Sequence, residues 1–209
     1  MANDRPSKVR RVGYQDEPGP APAINPIRIF AGIGAILFPL LNVLPLRFID
    51  IERYNPSNTV AGLLFLLAYV LLLPLVYVLY QELRAVSPPP GTWVSLLGVG
   101  VPAGVASGVI FGLNVTIAAI FTVTCLALWI GLSGYVAFSQ RILGRVWSVF
   151  SMAVGANAVV AGLLSIAPQF LGGVLVFFAW VSYGLAVALW VVWTGVMFMR
   201  RARMTPTEA

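Results

Sequence analysis

The sequence predicts an all-α membrane protein, a polytopic transmembrane helix bundle of six spans with both the N and C termini cytoplasmic. Of its 209 residues 59% are hydrophobic and only 10% are charged. Soluble domains average about 45–50% apolar and about 25% charged residues, so this composition excludes a soluble globule, and its high hydrophobicity excludes a disordered chain. The basic residues also cluster at alternate ends of successive apolar segments, and this predicts how the bundle is oriented in the membrane.

The first two spans are bounded by capping and turn residues. An apolar run over about 29–46 follows Asn25 and Pro26, a pair typical of a helix N-terminus. The second run covers about 59–80. It is followed by the proline-rich segment 87–91, which we expect to exclude helix.

The remaining chain contains two apolar stretches that are each too long for one crossing. The segment 92–140 has no charged residue, and as a single helix it would extend about 70 Å, more than twice the hydrocarbon thickness. We therefore predict a turn at 112–114 and a second break at 167–169. The resulting four spans cover about 93–113, 116–138, 146–166 and 170–199, and the last is longer than one crossing needs.

Basic and aromatic residues predict the same orientation. Eleven of the 13 basic residues lie on one side of the six spans, and only Arg47 and Arg53 lie on the other. The positive-inside rule makes the basic side cytoplasmic. We expect the membrane to be the plasma membrane of a bacterium. Near the same boundary we expect an aromatic belt of Tyr77, Tyr80, Trp93, Tyr135, Trp147, Trp190 and Trp193.

The chain divides into one membrane domain and two tails. Residues 1–25 are polar, proline-rich and basic, and we expect a flexible cytoplasmic tail. Residues 26–200 form the six-helix transmembrane domain, and 201–209 form a short cytoplasmic tail. The expected partner is the bilayer, with the first tail either pressed to anionic lipid or acting only as a topology anchor. No nucleic-acid partner is expected.

A row of glycines marks the third span. Gly100, Gly104, Gly108 and Gly112 recur every four residues, along one side of a helix. Small residues let a neighbouring helix approach closely, so the row predicts a helix-packing face. That face serves either packing inside the bundle or contact with a second copy or a partner membrane protein.

Two other features could bring a ligand to the bundle. Asn157 lies near mid-depth in the fifth span, where its amide needs an interhelical hydrogen bond or a ligand. Pro39, Pro74 and Pro102 interrupt their spans. Proline kinks are the simpler interpretation, but broken helices also occur in transporters.

Arg47, Asp50, Glu52 and Arg53 form an outer-loop charge cluster after the first span. Two carboxylates have the chemistry for acid–base catalysis, so this cluster is the one exception to a non-enzymatic interpretation. Solvated ion pairing at headgroup level is the simpler role. We identify no catalytic residue from the sequence.

Composition excludes several kinds of site. One cysteine and no histidine cannot supply a zinc cage, an iron–sulfur cluster or a histidine relay, so no cofactor and no metal is expected. No charged residue lies deep in a span, which argues against ion-coupled transport. The sequence thus favours a non-enzymatic accessory, scaffold or regulatory component, and the alternative is a permease for an uncharged or amphipathic small molecule.

Several short motifs lie in the second half of the chain. Gly134-Tyr135 precedes the linker 139–145, and Ala188-Leu189-Trp190 precedes Gly195 in the last span. Through these motifs the stretch of about 126–201 resembles an uncharacterised family of small bacterial six-span membrane proteins, a domain of unknown function. The resemblance implies six helices and a basic cytoplasmic linker, and it implies no reaction. Family members often carry a proline in this linker, and this chain has none there.

Overall fold

The computed structural model describes residues 25–43, 59–112, 114–166 and 173–202, and these ranges contain seven α-helices and no strand. Helices α2 and α3 form one crossing, so six helical segments are long and apolar enough to span a bilayer. The predicted all-α, six-span class is therefore confirmed, and the chain is a multi-pass membrane protein. Helices α1 to α7 cover Pro26–Val43, Thr59–Val70, Leu73–Val86, Pro88–Val109, Val115–Ser139, Arg145–Ile166 and Gly173–Arg201.

The predicted capping pair begins α1. The Ile27 backbone N–H donates to the Asn25 side-chain oxygen at 3.2 Å, and Pro26 occupies the first helical position. Proline loses nothing there because the N–H of that position has no acceptor within the helix. The helix continues past Pro39 to Val43, and the predicted end at about residue 46 lies outside the described residues.

The second span is interrupted in the middle, between α2 and α3. Pro74 has no N–H and removes one hydrogen bond from the helix. The Leu72 N–H instead donates back to the Tyr69 carbonyl at 3.1 Å, which tightens the chain locally. Helix α1 packs closely against this break, because a Cβ on Gly34 would overlap the Leu71 carbonyl oxygen.

Helix α4 begins at Pro88, inside the segment that was expected to exclude helix, so that prediction is wrong. The first N–H groups of any helix lack an intrahelical acceptor, and three consecutive prolines are therefore tolerated in its first turn. The Gly91 N–H donates to the Ser87 carbonyl at 2.9 Å and continues the helix. The second span likewise extends to Val86, beyond its predicted end.

The predicted turn between the third and fourth spans is confirmed. Helix α4 ends at Val109, Gly112 has a left-handed φ of +63°, and α5 begins at Val115. Helices α6 and α7 are likewise separate, ending at Ile166 and beginning at Gly173. The residues of the predicted break between them lie outside the described part of the chain, as do the tail residues 1–24 and 203–209.

The six crossings pack as a ring in chain order, and α7 closes the ring against α1. Helices α2 and α3 both contact α1 and α4, while α5 contacts α4 and α6. The middle of the ring is filled by large side chains, among them the fully buried Trp129, Trp190 and Phe198. Chain neighbours are thus neighbours in space, as short connections between antiparallel helices require.

Candidate functional site

Three tryptophans from three helices meet inside the bundle. Trp129 of α5, Trp147 of α6 and Trp190 of α7 are at most 2% exposed. The ring of Trp190 lies edge-on to Trp129, with centroids 5.4 Å apart, and tilted to Trp147 at 5.7 Å. Edge-to-face and tilted contacts at such distances are favourable for aromatic pairs.

Two of these indoles donate hydrogen bonds to hydroxyls on the facing helix. Trp147 Nε1 donates to Thr194 Oγ1 at 2.9 Å, and Trp190 Nε1 donates to Ser151 Oγ at 2.6 Å. Each hydroxyl in turn donates to a carbonyl of its own helix, at 2.7 Å from Thr194 and 2.8 Å from Ser151. Two chains of indole, hydroxyl and carbonyl therefore join α6 to α7, and we call these four residues the tryptophan network.

The prediction that Trp147 and Trp190 belong to an interfacial belt is wrong. Both side chains point into the bundle and are buried, since each indole finds a hydroxyl partner there. Position along a span sets the depth of a residue, but it does not set the direction of its side chain. Trp93 and Tyr135 are 70% and 61% exposed and remain suited to the predicted belt.

The predicted glycine row of α4 lies mostly against α5 of the same chain. A Cβ on Gly100 would approach Cys125 Sγ to 3.0 Å, and one on Gly104 would overlap the Thr122 hydroxyl. Gly108 continues the contact one turn later. The missing side chains let α5 approach closely, so this part of the row packs inside the bundle.

Gly112 has a different role from the other three glycines. A Cβ there would meet nothing within 4 Å, but φ of +63° places the residue in the left-handed region. Glycine reaches this conformation without steric cost and so permits the sharp turn into α5.

A second glycine contact, between the backbones of α5 and α6, was not predicted from the sequence. A Cβ on Gly155 would lie 2.7 Å from the Cα of Gly131 and 2.9 Å from the Ala127 carbonyl oxygen. A Cβ on Gly134 would lie 2.6 Å from Ser151 Cβ. The three-residue spacing of Gly131 and Gly134 was an available signal, because residues three apart share a helix face.

Asn157 makes an interhelical contact. Its Nδ2 donates to Ser182 Oγ of α7 at 3.3 Å, and Ser182 Oγ donates to the Ala179 carbonyl at 2.8 Å. The Asn157 side chain is only partly buried, at the edge of the α6–α7 contact. Its amide thus forms an interhelical hydrogen bond, which is the first of the two roles that the sequence predicts for it.

One end of the bundle carries an ion network. Glu82 Oε1 lies 2.6 Å from Arg28 Nη2, and Glu82 Oε2 lies 3.8 Å from Arg201 Nη1. The three side chains come from the start of α1, the end of α3 and the end of α7. Helix α1 therefore begins at the same end of the bundle at which α7 finishes, as an even number of crossings requires.

Further arginines lie at or beside helix ends. Because successive crossings run in opposite directions, these helix ends lie at this same end of the bundle. In the described ranges Glu82 is the only acidic residue, against six arginines. We call this end of the molecule the basic end. Its arginines are Arg28, Arg84, Arg141, Arg145, Arg200 and Arg201.

The predicted outer-loop charge cluster of Arg47, Asp50, Glu52 and Arg53 lies outside the described residues. Within the described ranges no group of three or more potential metal ligands lies together. Cys125 is buried and free.

Comparisons with protein-family models, with curated proteins and with solved structures found no match to this chain. The resemblance of about 126–201 to a six-span family therefore stays a prediction. The linker that carries this resemblance is the connection between α5 and α6, which includes Arg141 and begins α6 with Arg145.

Proposed function

We propose that the protein is a non-enzymatic component of a bacterial plasma membrane that acts through helix contacts, as an accessory, scaffold or regulatory subunit. The observation that carries this proposal is the tryptophan network. Polar side chains inside the bundle are used to join α6 to α7, and bulky rings fill the space between the helices. A bundle built in this way offers its outer surfaces to other molecules. By the positive-inside rule the basic end faces the cytosol.

The free side of α4 is the surface that we assign to a second copy or a partner membrane protein. The glycine side of this helix is covered by α5. On the uncovered side, Leu96 and Val99 are 55% and 49% exposed, and Ala103 follows as a small exposed residue one turn later. Small residues beside aliphatic ones let a further helix approach.

Disulfide crosslinking in native membranes tests this assignment. The single native cysteine is replaced first (Cys125→Ala), and cysteines are then introduced one at a time by Leu96→Cys, Val99→Cys and Ala103→Cys. The matched controls are Val159→Cys and Leu163→Cys on the exposed side of α6, where these side chains are 57% and 61% exposed. Similar exposure makes the two sets equally able to collide at random.

The proposal expects one discrete crosslinked species from the α4 set and none from the α6 set. Crosslinking that is equal in the two sets indicates random collision and contradicts the proposal. A protein that remains a monomer in native lipid, with no crosslink at any α4 position, contradicts it as well.

A permease for an uncharged or amphipathic small molecule is the alternative, and the interrupted second span favours it. The break between α2 and α3 faces Gly34 of α1, so a backbone irregularity lies at mid-span between two helices. Irregular backbone of this kind lines substrate paths in many transporters. Solute-specific flux into proteoliposomes supports the permease if the Gly34→Leu variant abolishes this flux. Flux no faster than in empty liposomes contradicts the permease hypothesis.

A further inference from the structure

A cavity of about 460 Å³ lies where α5 connects to α6 at the basic end. Arg141 and Arg145 line it, together with the ring of Phe138 and the first turn of α6 at Ser148. Both arginine side chains are exposed. Two cations therefore share one concave site at the end of two membrane-spanning helices.

The backbone of this connection has an unusual conformation. Arg141 has φ of +56° and Leu143 has φ of +60°, a region that favours glycine. The Ile142 N–H donates to the Ala137 carbonyl at 3.0 Å, and Leu143 is 6% exposed. The buried leucine anchors the connection, and an arginine occupies the left-handed position after α5 that glycine usually takes.

The side chain of Arg145 is positioned by an aromatic ring. Its guanidinium carbon lies 5.8 Å from the centroid of Phe138, within the range of a cation–π contact. This contact places the charge beside the cavity, with the side chain still exposed. The first N–H groups of α6 also lack intrahelical acceptors and add positive potential at the same place.

The charge at this site is not balanced within the described part of the chain. Glu82, the only acidic residue there, is already occupied by Arg28 and Arg201. The guanidinium groups of Arg141 and Arg145 therefore favour an anion from outside the bundle. Paired guanidinium groups are well suited to the oxygens of a phosphate.

We propose that this cavity binds the phosphate headgroup of an anionic phospholipid. The site lies at the ends of two spans, at the depth where headgroups lie. Below it, Val146 and Val149 are 72% and 48% exposed and offer an aliphatic surface for an acyl chain. Basic pockets between transmembrane helices on the cytoplasmic side bind anionic headgroups in this way.

Native mass spectrometry of the purified full chain tests the site, with phosphatidylglycerol and phosphatidylcholine as the added lipids. The double variant Arg141→Gln/Arg145→Gln removes both charges from exposed positions, so folding is not at risk. Arg84→Gln/Arg200→Gln is the matched control, because it removes the same charge from the same end. The variant Arg141→Lys/Arg145→Lys keeps the charge and removes the planar guanidinium groups.

Each basic residue near an anionic headgroup contributes about fivefold in affinity, so the site double variant is expected to weaken the first phosphatidylglycerol adduct by about 25-fold. The control double variant changes it by less than about threefold, and phosphatidylcholine binding is unchanged in both. The lysine variant gives an intermediate affinity. Equal losses in the two glutamine variants indicate diffuse attraction by the basic end and overturn the proposal, and no loss in the site variant also overturns it.

A competition experiment distinguishes a lipid from free phosphate. Inorganic phosphate is added up to tenfold above the phosphatidylglycerol concentration. The proposal expects the lipid adduct to persist, because the acyl chain contributes to binding along α6. Displacement of the lipid by inorganic phosphate assigns the cavity to a soluble anion and overturns the assignment to lipid.

Discussion

Helices α5 to α7 are joined by different interactions from those that join α1 to α4. In the tryptophan half (α5, α6 and α7), indole hydrogen bonds and the contact of Gly155 with Gly131 join uninterrupted helices. In the proline half (α1 to α4), each crossing contains a proline: Pro39, Pro74 or Pro102. Because lipid is as apolar as a protein core, neither half can rely on the hydrophobic effect between helices, and each uses packing and polar contacts instead.

The two halves meet where α4 packs against α5 and again where α1 packs against α7. The second of these boundaries is closely packed. A Cβ on Gly32 would overlap the side chain of Met199, and one on Gly195 would overlap Ala35.

At the basic end Glu82 of α3 lies 3.8 Å from Arg201 of α7, which connects the two halves, whereas its shorter contact of 2.6 Å to Arg28 of α1 lies within the proline half. We therefore expect salt to have little effect on the tryptophan half and to weaken the contacts of Glu82 at the basic end.

Gly155→Val should have the largest effect on the free energy of unfolding. The new side chain would meet the backbone of α5, which cannot give way as a flexible side chain does. Overpacking of this kind costs about 3 kcal/mol. Unfolding of the variant in a detergent titration measures this loss. The control is Gly162→Val on the same helix, where a Cβ meets nothing within 4 Å. Equal losses in the two variants would show that helix propensity, not the close contact, is responsible.

Trp190→Phe should follow, with a loss of about 2 kcal/mol from the smaller ring and the lost hydrogen bond. A double-mutant cycle with Ser151→Ala isolates the hydrogen bond, and we expect a coupling energy of about 1 kcal/mol. Trp193→Phe is the control, because that side chain is 41% exposed. A coupling energy near zero would show that the hydrogen bond between Trp190 and Ser151 does not stabilise the protein.

Glu82→Gln should cost less, about 1 kcal/mol, because both partners of the shorter ion pair are partly exposed. The loss should shrink at high salt, since salt screens such pairs. Arg84→Gln, which removes a hydrogen bond to the Tyr80 hydroxyl, should change stability little. If Glu82→Gln destabilises the protein more than Trp190→Phe does, the ion network of Glu82 contributes more to stability than the tryptophan network and the expected ranking is reversed.

Arg141→Gly should have the smallest effect on stability and could raise it by up to about 1 kcal/mol, because glycine accepts the left-handed conformation. The same change should weaken phosphatidylglycerol binding by about fivefold. Thermal unfolding checks the expected gain in stability, and a lipid titration checks the expected loss of affinity. Gly144→Ala, at φ of +86°, should lower stability instead. A destabilising Arg141→Gly would mean that the arginine is kept for the fold and not for lipid.

Much of the fold could be predicted from the sequence because span length and turn residues depend on local chemistry. The cap at Asn25, the turn at Gly112 and the six crossings all follow from length and local propensity. The start of α4 at Pro88 differs from the prediction, because proline breaks a helix only in its interior. Its effect depends on the position within the helix, and the first turn tolerates it.

The packing inside the bundle could not be predicted in the same way. In a soluble helix the apolar stripe identifies the buried side, but here the core and the lipid are both apolar and the stripe disappears. Trp147 and Trp193 therefore look alike in sequence, although the first is 2% and the second 41% exposed. The cavity beside Arg141 depends on a left-handed backbone at a non-glycine residue, and no sequence pattern predicts this conformation.

The central claim is that six crossings place the basic end in the cytosol, and cysteine accessibility tests it most directly. In a Cys125→Ala background, Arg84→Cys and Arg200→Cys probe the basic end, and Phe111→Cys probes the opposite end, where the side chain is 76% exposed. A membrane-impermeant maleimide should label position 111 in intact bacterial cells and should label positions 84 and 200 only after the membrane is opened. Labelling of position 84 or 200 in intact cells would contradict the account.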